Sequence, residues 1–335
     1  MSPSTVSRVL NGTAIVAPGT EQRVRDAIAE LNFFPHPAAR QLVHQCTNTI
    51  GLLLPEISGE FFPPMLRGIE AGVREAGYDL LIHSTQDSYS HGHRPLREHN
   101  TDGLIIFPES VDDKELQRLF NIGFPVVLLH QSAPEGANYP VVTVENKFGA
   151  EKLINHLIEI HGRRRICFLQ GPEGHEDSIW RERGYREALE AHGLPFHPEL
   201  VAYGGFDDQE SYQAIQQWFL EGVEFDAVFA GDDDAATGVI AALRQAGRRV
   251  PEDVSVVGFD DVPFSRFVSP PLTTIRSPIE QVGREAVRLL VKCIHEEHCN
   301  PEILLPTELV IRQSCGCDAE PARMQTNFIP RLIAE

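Results

Sequence analysis

From residue 49 onward the chain alternates short apolar runs with longer segments of helical period, a pattern that calls for a parallel sheet wrapped by helices on both faces. Runs at 49–54, 79–84, 103–107 and 126–130 read as strands, with a helix over 62–76 after the first. A second series follows at 165–170, 200–203, 227–230 and 255–260, interleaved with helices near 180–192, 209–221 and 235–246. The expected fold class is therefore α/β, built as two similar, doubly wound parallel-sheet halves. Gly77, Gly193 and Gly247 each follow a helical segment and can take the left-handed stop before the next strand. A helix over 279–294 and a late strand over 304–311, which can return to either half, complete the pattern. The tail after Cys317 has no clear period and is expected to be loosely held.

The first 45 residues read differently. Residues 1–12 form one short, punctuated helix: Ser2 can cap it, Pro3 suits its first position, and Asn11-Gly12 supplies a stop. Val6, Val9 and Leu10 make one apolar stripe, while Ser4, Thr5, Ser7 and Arg8 lie on or beside the other face. Small hydroxyls with one arginine suit phosphates and base edges, although an ordinary capped amphipathic helix has the same composition. A second helix over 20–31 turns Val24, Ala27, Ile28 and Leu31 inward. The chain carries a net charge of −19, yet residues 1–45 hold four Arg against three acids. Any DNA contact must then come from this segment, because the acidic remainder repels phosphate.

Six cysteines are too sparse for a disulfide scaffold, and no charged-then-apolar leader precedes a small-residue cleavage site. A reducing cytoplasm is the expected compartment, and no apolar run is long enough to span a membrane.

Specific segments carry a family resemblance. Thr47-Asn48-Thr49-Ile50-Gly51, Thr101-Asp102-Gly103-Leu104-Ile105, Gly171-Pro172, the run from Asp253 to Asp261, and Pro271-Leu272-Thr273-Thr274-Ile275 occur in order over nearly the whole chain. With the N-terminal helices and Ala38-Ala39-Arg40-Gln41-Leu42, the chain resembles the lactose/galactose repressor (LacI/GalR) family of transcriptional regulators. The resemblance implies a periplasmic-binding-protein-like core of two subdomains with a ligand cleft between them, usually dimeric, preceded by an all-helical DNA-binding headpiece. The N-terminal helices match the second and third of that headpiece, so the first is expected to be missing, through a misplaced start or a true truncation. The implied division is headpiece and hinge over 1–46, core over 47–317 and tail over 318–335. Within the core, one subdomain takes 47–145 with 277–305, and the other takes 146–276 with 306–317.

The resemblance also assigns roles. Pro3, Ser4 and Arg8 take base-facing positions of the recognition helix, Thr5 and Ser7 suit phosphates, and Leu42, with Ala39 beside it, matches the hinge leucine that wedges into the minor groove. Arg181 matches the arginine that holds ligand oxygens, and Asp260 the ligand-binding aspartate. Loops beyond the carboxyl ends of parallel strands are where ligands sit, which adds Phe61 as a stacking surface, Asp232 as an acceptor and Phe148 as cleft lining. Phe62 reads equally well as a core anchor, and Arg183 as a surface arginine. Gly59-Glu60 replaces the family's usual Asn-Pro, and Asp232 its usual Asn. An acceptor-only Asp232 favours a ligand rich in hydroxyls or amines over an anion.

No nucleophile elbow, phosphate-cradling loop or dinucleotide fingerprint follows a strand, so no catalysis and no cofactor are expected. The acids Asp232, Asp233 and Asp234 diverge too far for an oxygen cage. Neither His295, His298 and Cys299 nor Cys315 and Cys317 supply four ligands at zinc spacing, so no metal is expected. The combined expectation is a repressor, acting as a homodimer on operator DNA under control of a small effector, a sugar. The alternative is a truncated sugar-binding protein without operator binding.

Overall fold

The computed structural model describes residues 2, 5–6, 8–9, 15–31, 46–85, 96, 98–296 and 302–318. The chain divides into two compact units, Met1–Thr47 and Asn48–Glu335.

In the first unit, Thr5, Val6, Arg8 and Val9 are helical and Ser2 caps them. The Thr5 amide donates to the Ser2 hydroxyl at 3.3 Å, and the Thr5 and Val6 amides reach the Ser2 carbonyl at 3.0 and 3.3 Å. Helix α1 (Pro18–Glu30) starts on a proline and buries Val24. Ala27 and Leu31 are exposed instead of inward, and Leu31 already lies past the last turn as the C-cap residue. Ser4, Ser7, Ala39, Leu42 and the Asn11-Gly12 stop lie outside the described residues, as does the chain after Asp318.

The second unit begins β1 (Thr49–Leu54), α2 (Phe62–Ala76), β2 (Asp79–Ser84), β3 (Gly103–Ile106), α3 (Asp113–Asn121), β4 (Val126–Leu129), β5 (Val141–Val144). It continues α4 (Asn146–Glu159), β6 (Ile166–Gln170), α5 (Glu176–Ala191), β7 (Val201–Tyr203), α6 (Asp208–Glu221), β8 (Ala227–Phe229), α7 (Asp233–Gln245), β9 (Ser255–Val257). It closes with β10 (Thr274–Arg276), α8 (Ile279–Ile294), β11 (Glu302–Leu305) and β12 (Glu308–Val310).

Two parallel sheets result, one per lobe, ordered β11-β5-β4-β3-β1-β2 and β7-β6-β8-β9. In the first, Thr49 pairs with Asp79 on one side while Ile50 pairs with Gly103 on the other, so β1 is interior and buried along its length. Its side chains alternate between cores: Ile50, Leu52 and Leu54 join α2 and α8, while Leu53 joins α3. In the second lobe Phe168 faces the α4/α5 core, and Cys167 and Leu169 face the α6/α7 core. Gly77, Gly193 and Gly247 adopt φ of 76°, 66° and 71°, the stops expected of them.

The late apolar run is two strands, one for each lobe. β11 lies parallel to β5, while β12 runs antiparallel to β10 beside the second sheet. Pro306 breaks the run, since it has no N–H to continue a ladder. The chain therefore passes between lobes three times, after β5, β10 and β11, and two passages are bonded together: the Glu145 amide donates to the Leu305 carbonyl at 2.9 Å, and the Thr307 hydroxyl to the Glu145 carbonyl at 3.0 Å.

Candidate ligand-binding cleft

In both sheets the strand order reverses about one interior strand. β2 and β3 flank β1, and β7 and β8 flank β6. Loops leaving such a point diverge and open a crevice at the carboxyl ends of the strands. The loops after β1, β3, β6, β8 and β9 all line one cavity of about 720 Å³, within the range of small-ligand sites.

The first lobe gives this cavity carbon. Phe61, Phe62 and Phe107 pack edge-on or tilted with centroids 5.5–6.0 Å apart. Phe62 is 7 % exposed and also anchors the core, whereas Phe61 is only half-buried. Gly59, at φ +83°, turns the loop that presents them.

The second lobe gives it charge. Arg181, 2 % exposed, donates through Nε to Asn146 Oδ1 at 2.9 Å, through Nη1 to the Gly231 carbonyl at 2.7 Å and through Nη2 to Asp260 Oδ1 at 3.4 Å. Its plane lies 3.9 Å from the Phe259 ring centre. Asp177, one turn before it on α5, accepts from His130 Nδ1 at 2.8 Å and Asn146 Nδ2 at 2.7 Å. Burial alone would raise the Asp177 carboxyl, but His130 and Arg181 more than offset that and hold it well below the usual carboxylate range. The network depends on a close crossing of α4 and α5: a Cβ on Gly184 would lie 2.2 Å from the Lys147 carbonyl oxygen. That contact sets Asn146 beside Arg181.

Asp260 sits at φ 101°, a strained conformation for a residue with a side chain, and is held by Ser277 Oγ at 2.8 Å and by its own amide on the Ile275 carbonyl at 2.6 Å. Burial raises its pKa and Arg181 partly restores it. The next residue, Asp261, binds Arg276 at 2.8 Å and Arg312 at 2.5 Å.

The three consecutive aspartates separate. Asp232 caps α7 through the Ala235 amide at 2.8 Å and still lines the cavity, its pKa raised by burial and by Asp234. Asp233 accepts from the Val262 amide and the Ser265 and Thr274 hydroxyls inside the lobe, where burial pushes it up to about 8 against those three donors. Asp234 lies at the cavity, pushed up to about 6 by burial and the nearby Glu60 and Asp260 carboxylates.

Of the residues expected at the effector site, Phe61, Arg181, Asp232 and Asp260 thus meet around one cavity. Phe148 does not line it. Two residues beyond Asn146 and so about 200° around α4, it is 50 % exposed with Lys152 over its ring. Arg183 is an exposed partner of Glu187, as its surface reading required. Sequence reasoning passed over Asp177, His130, His175, Asn146, Phe107 and Phe206. Asp177 at four residues before Arg181 was the available signal, since that spacing shares a helix face.

Among the described residues, the buried side-chain polar atoms without a hydrogen-bond partner are His130 Nε2 and His175 Nδ1. Burial depresses His175 to about 4, so it is neutral near pH 7. His175 lines the cavity, and the His130 ring lies 5.7 Å from that of Phe61. Orphaned polar atoms inside a protein are costly, and a ligand hydroxyl in the cavity would satisfy that of His175. The lining carries six acidic side chains, Asp232 and Asp234 among them with raised pKa, against one guanidinium, which opposes an anion and suits hydroxyl or amine donors.

Known proteins resemble the chain at both ends. The family of bacterial regulatory proteins described as lacI matches residues 1–36, and a periplasmic binding protein-like domain matches residues 154–315. The HTH-type transcriptional regulator CelR of Thermobifida fusca is 36 % identical over 321 residues, spanning 92 % of this chain and 94 % of that protein. The ribose operon repressor of Halalkalibacterium halodurans is 32 % identical over 318 residues, spanning 94 % and 93 %. A solved transcriptional regulator CelR-cellobiose complex superposes with a TM-score of 0.72 at 32 % identity, spanning 94 % and 96 % of the two chains.

Proposed function

Since the chain belongs to the lacI family of bacterial regulatory proteins, we propose that it is a repressor whose hold on operator DNA is set by a neutral, hydroxyl-rich effector, a sugar, in the cleft between its lobes. It is a DNA-binding transcriptional regulator. The observation that supports the sugar is the pairing of an aromatic wall with the Arg181–Asp260–Asp177 network across one cavity. Aromatic faces stack on the apolar faces of pyranose rings, while a guanidinium fork and flanking carboxylates bond their vicinal hydroxyls. Cellobiose in the solved CelR complex is a ligand of that kind, and a cavity of about 720 Å³ has room for a disaccharide. Phe61, Arg181, Asp232 and Asp260 are the effector contacts in this reading, joined by His130 and His175.

The effector acts by binding one state better: a hundredfold preference biases the equilibrium by about 2.7 kcal/mol. Ser4, Thr5, Ser7 and Arg8 contact the operator, with Ala39 and Leu42 in the minor groove. The core divides into subdomains at the boundaries set out above. The protein binds its ligand without transforming it and works in the cytoplasm. Among the described residues no helix is long and apolar enough to cross a membrane. A second copy covers the outer edge of the first sheet, where β2 carries Leu81 and Ile82 at 42 % and 43 % exposure.

A thermal-shift panel of cellobiose, glucose, ribose and a purine at millimolar concentration tests the cleft. A sugar should raise the melting temperature, with no rise in Arg181→Lys, whose single ammonium cannot reproduce the fork. No response to any sugar refutes the effector class. Operator binding that disappears at physiological salt refutes the specific DNA contact.

A further inference from the structure

At the opposite end of the second lobe from the cleft, the fold assembles a group of side chains that the sequence scatters. His156 lies on the last turn of α4, His161 follows the helix, and Cys315 and Cys317 come after β12. One donor atom from each lies within 4.8 Å of all the others. The two Nε2 atoms are 3.3 Å apart, and Cys317 Sγ is 3.6 Å from His156 Nε2 and 3.3 Å from His161 Nε2. Around a tetrahedral zinc with Zn–S near 2.3 Å and Zn–N near 2.0–2.1 Å, neighbouring donors stand roughly 3.3–3.8 Å apart.

We propose that His156, His161, Cys315 and Cys317 form a closed Cys2His2 zinc site that fastens segment 312–318 to the end of α4. Two thiolates and two imidazoles are the borderline-soft set that zinc prefers and that magnesium or calcium does not. The two thiolate charges cancel that of the dication, so the complex can be buried without a net charge. Four protein ligands leave no open position, which makes the role structural.

The surroundings support the donors. The Thr273 hydroxyl approaches Cys315 Sγ at 3.1 Å, and the Ser255 hydroxyl donates to the Cys315 carbonyl at 2.7 Å while accepting from Arg163 Nε at 2.9 Å. Between the cysteines Gly316 takes φ +113°, and a Cβ there would stand 3.1 Å from His161 Nδ1. Glycine relieves both constraints, the left-handed backbone and the close approach of the His161 ring. Cys315 and Cys317 alone had no companions at zinc spacing because the other two donors lie over 150 residues earlier in the chain.

The test is elemental analysis of the full chain, purified under reductant, loaded with Zn(II) and desalted. Wild type should retain one zinc per chain, and Cys317→Ser and His161→Ala at least tenfold less. Thr273→Val, which keeps all four ligands, should bind about tenfold more weakly. Cobalt(II) in place of zinc should give intense tetrahedral d–d bands with thiolate charge transfer, absent from Cys315→Ser/Cys317→Ser. An unchanged thermal response to any sugar that shifts the wild type would show that the cysteine variants are folded. Where no sugar shifts the wild type, an unchanged far-ultraviolet dichroism serves instead, so the zinc result stands apart from the effector reading. A wild type without zinc after loading, a Cys317→Ser variant that keeps full stoichiometry, or octahedral cobalt without charge transfer would each overturn the proposal.

Discussion

Phe61 and Phe107 meet the cavity as carbon surface with nothing to hydrogen-bond, whereas across it Arg181, Asp177 and Asp260 meet it as charges already bonded to one another. The aromatic wall is held by contact with its own core, and its half-buried Phe61 can be trimmed at little cost to the fold. The charged wall is a closed network in which each member neutralises another. Removing one strands the rest in a low-dielectric interior. The two walls therefore separate affinity from stability, and substitutions on each should show it.

The largest effect belongs to Arg181→Ala. It leaves Asp260 and Asp177 buried without their guanidinium and should cost about 3–5 kcal/mol in urea unfolding while abolishing the effector's thermal shift. A loss under 1 kcal/mol would mean that water replaces the network and that the two walls are alike.

Acid should act on the same wall. His175 is held at about 4 in the folded chain, against 6.5 for an exposed imidazole, so the unfolded state gains its proton first. The His175 contribution to stability then falls as pH drops from about 6.5 to 4, by an amount on the order of 1–3 kcal/mol trimmed by water in the cavity, against an opposite drift from Asp233 and Asp234, whose raised carboxyls take up protons in the folded chain first. His175→Phe should remove that contribution, so that in paired unfolding curves the variant gains stability relative to wild type as pH drops across the interval. Asp177 adds a loss at lower pH, because its depressed carboxyl stabilises the fold only while ionised and gives that up as pH falls below the unfolded value.

On the aromatic wall, Phe61→Ala should weaken a sugar about tenfold, roughly 1.4 kcal/mol, with the melting temperature of the free protein little changed. Equal losses in affinity and stability would erase the distinction. Phe148→Ala, outside the cleft, should shift effector affinity by no more than about 0.5 kcal/mol in calorimetry.

How much of this could be read from the sequence follows from the range of each interaction. Strands and helix stops are local: β1, β2, α2 and α8 begin and end where period and flanking residues place them, and the three glycine stops adopt the conformation that only glycine takes cheaply. Arg181 and Asp260 stood out because each matches a ligand-binding position of the family that the chain resembles, Asp260 also by following an apolar strand. The partners that make them a network did not, because Asn146 meets Arg181 only where α4 crosses α5 over Gly184, and His130 reaches Asp177 from the other lobe. Phe148 illustrates the reverse error, as the right loop selects a helix but not its face. The late strand was divided by one missing N–H at Pro306, a signal present in the sequence and outweighed by the apolar run around it.

The three passages between lobes have a mechanical consequence. Two of them are laced together through Glu145, Leu305 and Thr307, and a laced pair resists shear while still allowing bending across its thin direction. Such a pair favours bending of one lobe against the other over sliding, like a door on a strap hinge. Ligands of different bulk would act as doorstops at different settings of that bend, so the molecule would register the girth of whatever it holds as a graded position.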